Sequence, residues 1–233
     1  MTERLDALKG EIIAQGRRVQ ALAEKAVEVV FSGDVAGAEQ AVAADDEVDA
    51  VDVAIEKSAV DLLTLACTEG AAMTPQQVRL VLTIVKVNNE LERTSDLATD
   101  IAELSKKLAT GAVGGGAAKL PPTFRVLANS VIGILRDSVT ALEKSDPRLA
   151  KSVLMSQATV SEFKRALIRE AHQQLTKGLL PLAEATTLHD IADACVTMAD
   201  HCANICEQVI YSATGTIVRH MEGKWAEVKV PGL

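Results

Sequence analysis

The sequence predicts an all-α fold of two tandem three-helix bundles, six long antiparallel helices in all. Three observations carry this expectation. Hydrophobic residues make up 48% of the 233 positions, and over long stretches they recur every three or four residues, the signature of helices with one buried face. Only six prolines occur; Pro121, Pro122, Pro147, Pro181 and Pro231 fall at segment boundaries, leaving long runs in which nothing breaks a helix. A single glycine-rich stretch divides the chain nearly in half, with similar helical patterns on either side.

Leu5, Leu8, Ile12, Val19, Leu22, Ala26 and Val30 place the first helix between Leu5 and Phe31. Ser32-Gly33-Asp34 ends it and caps the second, since glycine takes a left-handed turn cheaply and aspartate accepts from free helix N–H groups. The second helix is expected from Val35 to about Cys67, with Thr68-Glu69-Gly70 as its break. Thr74-Pro75-Gln76-Gln77 has the form of a capping box with proline at the first helical position, and the third helix continues to about Ala109. Thr110 to Pro122 reads as a linker. Its glycines do not make a phosphate loop, because no Gly-Lys-Ser/Thr follows and no strand precedes. In the second half a helix is expected from Thr123 to Glu143. Another starts at Ser145-Asp146-Pro147 and runs to Lys177. Gly178 and Pro181 separate it from a last long helix ending at Thr214-Gly215. The tail from Ile217 to Trp225 is compatible with a short helix. The domains are thus 1–110, a linker at 111–122, and 123–233.

The halves superpose in sequence. A shift of 112 places Asp34 on Asp146, Ala38 on Ala150 and Val48 on Val160; a shift of 104 places Asp96 on Asp200 and Glu103 on Glu207. Two diverged copies of one helix trio is the economical reading.

Composition narrows the function. The net charge is −8 and aromatics are 2%, which argues against binding of duplex or single-stranded nucleic acid. The N-terminus lacks a signal-like apolar run and no stretch is apolar enough to span or insert into a membrane, so a cytoplasmic protein is expected. Cys67, Cys195, Cys202 and Cys206 lack the spacing of a zinc site and read as reduced core residues. No Ser or Cys has an evident His base, and no Glu-x-x-His di-iron motif occurs. The chain is therefore expected not to be an enzyme.

The chemistry lies in acidic stripes. Asp45, Asp49, Asp52 and Glu56 fall within an arc of about 60° on the second helix, beside the apolar stripe of Val48, Val51, Ile55 and Leu62. Glu92, Asp96 and Asp100 stack one turn apart on the third. Like charges so spaced repel. Two readings stand: solvated ridges relieved by Lys57, Lys86 and Arg93, or an oxygen-rich cage for a metal ion between neighbouring helices. The second copy is depleted, with Gln157, Ser161 and Val196 where the first has Asp45, Asp49 and Glu92. Asp193 and Asp200, with His189 nearby, are weaker candidates there.

The run Lys86-Val87-Asn88-Asn89-Glu90-Leu91-Glu92-Arg93-Thr94-Ser95-Asp96 resembles the signature helix of the PhoU family, which reads close to Lys-Ile-x-x-Asp-Leu-Glu-Arg-Ile-Gly-Asp. Asp45-Asp46-Glu47-Val48-Asp49 resembles its companion acidic motif, and Ile210 to Gly215 with Val218-Arg219-His220 resembles the family's C-terminal end. The resemblance spans essentially the whole chain. It implies paired three-helix bundles and a homodimer. It also implies a metal site of transition-metal ions, iron or another divalent cation, on Asp45, Asp49, Glu92 and Asp96, with Asp52, Glu56 and Asp100 in support. It further implies a regulatory adaptor that restrains a phosphate ABC transporter, through its ATPase, and a phosphate-sensing histidine kinase. Metal buffering by the carboxylate clusters is the alternative.

Overall fold

A computed structural model of the chain describes residues 1–68, 73–110, 120–221 and 224–227. Among these residues seven helices and two paired strands follow in order: α1 (Thr2–Ser32), α2 (Val35–Ala43), α3 (Asp45–Thr68), α4 (Pro75–Ala109), α5 (Pro122–Lys144), α6 (Pro147–Thr176), α7 (Leu182–Thr214), β1 (Val218–Met221) and β2 (Lys224–Glu227). Helices α1 to α4 pack on one another, as do α5 to α7. The two groups meet where α4 lies along α7 and α1 crosses α5. Most of the expected linker, 111–119, lies outside the described residues, as do Glu69 and Gly70 of the expected break after the second helix.

The helix ends follow from the capping residues. Gly33 and Gly215 take φ of 67° and 74° at the ends of α1 and α7, a backbone region that side chains disfavour. The Asp34 carboxylate accepts from Gly37 N–H at 3.0 Å. Asp146 accepts from the N–H groups of Arg148 and Leu149 at 2.8 and 3.2 Å. The two aspartates aligned by the shift of 112 thus do the same work in both trios. The capping box forms as expected: Gln77 N–H donates to Thr74 Oγ1 at 3.2 Å, and Thr74 N–H donates to Gln77 Oε1 at 2.9 Å.

Two expectations are corrected. The expected second helix is two, α2 and α3, interrupted at Ala44, whose φ and ψ are −72° and −15°. The break places Asp45 at the first position of α3, where exposed N–H dipoles favour carboxylates. The C-terminal tail is an antiparallel hairpin, with Val218 opposite Glu227 and His220 opposite Trp225. The left-handed turn at Gly215 ends α7, and Val218 buries its side chain against the core.

One continuous core of Leu, Ile, Val and Ala joins both trios. Gly16 allows α1 to approach α5: a Cβ there would stand 3.3 Å from a Val139 methyl. Phe31 and Phe124 stack at 5.2 Å between ring centroids, and Arg125 lies 3.9 Å over the Phe31 ring. Cys195, Cys202 and Cys206 are buried on α7 and Cys67 is exposed at the end of α3. Burial pushes the Cys195 and Cys202 thiols up to about 12, and Cys206 well above its ordinary value. Among the described residues no helix is long and apolar enough to cross a membrane.

Candidate metal centre

Helices α3 and α4 run antiparallel and are fastened by their own polar side chains. Ser95 Oγ donates to Asp45 Oδ1 at one end. Asn88 Nδ2 donates to the Asp52 carbonyl and carboxylate at 3.0 and 2.6 Å at the other. From behind, buried Gln15 on α1 donates to the Val48 carbonyl at 2.7 Å, and Arg18 bonds both Gln15 Oε1 and Glu47 Oε1. These contacts fix the rotation of α3, and with it the direction of its acidic edge.

Along that edge Asp45 and Asp49 meet Asp96 of α4. Each offers one carboxylate oxygen within 4.8 Å of the other two, and this is the one such group of three potential ligands among the described residues. Asp45 is half-buried; the other two are exposed. The donors are all hard oxygens, which suits Mg²⁺, Mn²⁺, Ca²⁺ or Fe²⁺ better than copper or zinc. Such a group is also a common arrangement on acidic surfaces, so the geometry permits a cation without requiring one.

The electrostatics run in the same direction. Partial burial, followed by the charges of Asp45, Asp49 and Asp100, raises the Asp96 carboxyl above its ordinary value. Glu92 is raised by burial, then by Asp96, Asp52 and Asp49, against a lowering from Arg93. Asp52 is raised by burial, then by Glu56 and Asp49, against the Asn88 hydrogen bond. Each charged carboxylate therefore makes its neighbour's charge less favourable, and a cation would relieve all of them together.

Of the four principal residues named from sequence, three converge. Glu92 stands one turn from Asp96, on the side toward Asp52. Asp100 lies beyond Asp96, while Glu56 points into a groove described below. In the second repeat, Asp193 pairs with Lys164 and lies 3.6 Å from His189 Nε2, and Asp200 accepts from the Gln157 amide. Among the described residues neither aspartate joins a group of three potential ligands.

Glu90 and His201 carried no assigned role in the sequence reading. Glu90 Oε2 lies 2.7 Å from His201 Nδ1 and accepts from Asn204 Nδ2 at 3.0 Å, all on the half-buried seam between α4 and α7. Burial would raise Glu90, but the bonds from His201 and Asn204, helped by the charges of His201 and Arg93, bring it below its ordinary value. Beside this seam is a polar groove of about 720 Å³, walled by α3, α4, α6, α7 and Arg219 of the hairpin.

The PhoU domain family model matches residues 12–105 and 124–209, the first match on α1–α4 and the second on α5–α7. The phosphate-specific transport system accessory protein PhoU homolog of Aquifex aeolicus is 29% identical over 225 residues, covering 94% of this chain and 96% of that protein. The homolog of Pseudomonas putida is 26% identical over 228 residues, covering 98% and 86%. Among solved structures, PhoU from Pseudomonas aeruginosa superposes with a TM-score of 0.81 at 23% identity, covering 92% of this chain and 99% of that one. The phosphate transport system regulatory protein PhoU from Streptococcus pneumoniae does so at 0.80 and 23%, covering 92% and 97%.

Proposed function

The chain belongs to the PhoU family, and on that premise we propose that it is a regulatory adaptor of phosphate homeostasis. When phosphate is ample it restrains uptake by a phosphate ABC transporter, through the transporter's ATPase, and output from a phosphate-sensing histidine kinase. It acts by protein contact and not by turnover. The observation that carries this reading is the family match on both repeats, together with relatives named as accessory proteins of phosphate-specific transport. In this reading the protein works in the cytoplasm as a homodimer; its four free cysteines suit a reducing compartment. Deleting the gene should raise phosphate-starvation gene expression in phosphate-replete medium. Unchanged expression, with neither ATPase nor kinase recovered on the tagged protein, would overturn it.

The convergence of Asp45, Asp49 and Asp96 favours a second, compatible reading. In it these three, with Glu92 completing the shell, hold iron or another divalent cation, and Asp52, Glu56 and Asp100 surround it with negative charge. The ion would neutralise the ridge and hold α3 against α4. A pure metal-buffering role would gain from two such sites, and the second repeat has Gln157 and Ser161 where the first has Asp45 and Asp49.

A further inference from the structure

We propose that the groove along the α4–α7 seam docks a cationic, amphipathic helix of a partner protein, with basic side chains on Glu56 and Asp200 and aliphatic ones on Val53, Val60 and Leu82. The inference rests on the adaptor reading and gives it a surface and a partner chemistry.

Charge is the first argument. Four carboxylates line the groove: Glu56, Glu90, Asp200 and Glu207. Two are matched from within, Glu90 by His201 and Asn204 and Glu207 by Arg219. Asp200 accepts from the Gln157 amide, which satisfies a lone pair and leaves the charge. Glu56 is exposed, and of the two cations among the lining residues, Lys86 and Arg219, the second is engaged by Glu207. The acidic edge of α3 and α4 continues from Glu56 through Asp52 and Glu92 to the Asp45–Asp49–Asp96 group. A basic segment lying here would run along a line of mutually coupled carboxylates.

The apolar argument is independent. Val53 and Val60 are 65% and 60% exposed. They lie three residues before and four after Glu56, within about 60° of it around the helix. On α4, Val78 and Leu82 are 37% and 47% exposed and share a stripe with Val85 of the groove wall. Aliphatic residues left in water at spacings of three, four and seven along two parallel-sided rods form ridges for another helix to pack against. The apolar and acidic stripes lie side by side, so the occupant must itself be two-faced.

The test uses full-length protein freed of metal by chelator, and a fluorescent helix of about 18 residues with lysines on one face and leucines on the other. Anisotropy is read at about 150 mM salt, where diffuse attraction is screened. The double variant Val53→Ser/Val60→Ser keeps every charge and should weaken binding at least about 10-fold, as should Glu56→Lys. Glu28→Lys/Glu39→Lys, on exposed positions of α1 and α2 away from the groove, should change it less than about 2-fold. All these positions are exposed, and circular dichroism checks that helix content is kept. No saturable binding, equal losses in groove and control variants, or indifference to the serines would overturn the proposal. In cells, a deletion strain complemented with Val53→Ser/Val60→Ser should remain derepressed. Full complementation by that variant defeats the groove and leaves the adaptor reading standing. A deletion strain that never derepresses defeats the adaptor reading, while the anisotropy result is read on its own.

Discussion

Glu90 on α4 faces His201 on α7 across 2.7 Å, and so the helix that bears Glu92 and Asp96 is tied directly to the second repeat. The tie is polar, half-buried and shared with Asn204. It sits at the centre of the seam, where α4 and α7 run antiparallel with Arg79 near Gly215 at one end.

Replacing Glu90 by Ala strands two donors in the seam. The expected loss is about 1–3 kcal/mol, the usual cost of an unsatisfied buried partner, read as a lower urea midpoint. Because Glu90 is held below its ordinary value, its stabilisation is fully present above that value and disappears as pH falls through the folded pKa. The stability difference between wild type and Glu90→Ala should therefore shrink as pH falls into the acid range.

Asp96→Asn and Glu92→Gln should each stabilise the metal-free chain at neutral pH. Both carboxyls are raised above their ordinary values. Their ionisation therefore favours the unfolded state once pH exceeds the unfolded pKa, and the penalty is complete above the folded one. The groups are largely solvated, so the gain is a few tenths of a kcal/mol, measurable as a small rise in Tm. A fall in Tm would mean that these carboxylates make favourable contacts.

Calorimetric titration of chelator-treated protein with Mn²⁺ or Fe²⁺ should show binding that Asp49→Ala or Asp96→Ala abolishes. Asp193→Ala and Asp200→Ala should leave it intact. Binding that survives loss of Asp49 and Asp96 would move the site elsewhere, and absence of binding would leave the ridge solvated.

Gly16→Leu should destabilise by about 1–3 kcal/mol through overpacking. Even a Cβ at this position stands 3.3 Å from Val139, so a longer side chain must push α1 from α5. Thermal unfolding checks it; an unchanged Tm would mean that the two trios separate at little cost.

The helices were legible because capping is local chemistry. Asp34, Asp146, Thr74 with Gln77, and Gly215 each fix an end within a few residues of themselves. The interruption at Ala44 was not, since neither glycine nor proline marks it, and Asp45-Asp46, the local sign of a helix start, reads equally well as part of an acidic helix face. The hairpin was missed because Ile217–Trp225 is too short for periodicity to decide between helix and strand; Gly223, between two short runs, was the available signal. Helical spacing put Asp45 and Asp49 on one edge of α3. It could not show that Ser95 and Asn88 would turn that edge onto Asp96. Nor could any periodicity pair Glu90 with His201, which is 111 residues away.

The burial of Cys195, Cys202 and Cys206 has a practical consequence. Thiols buried against α7's neighbours hold almost no thiolate at neutral pH, so thiol-directed alkylating reagents meet essentially one cysteine, Cys67. The folded protein thus carries a natural single attachment point at the far end of α3. A dye or spin label placed there would report on the outer tip of the first trio without any engineered residue, and the wild-type sequence can serve as its own ruler.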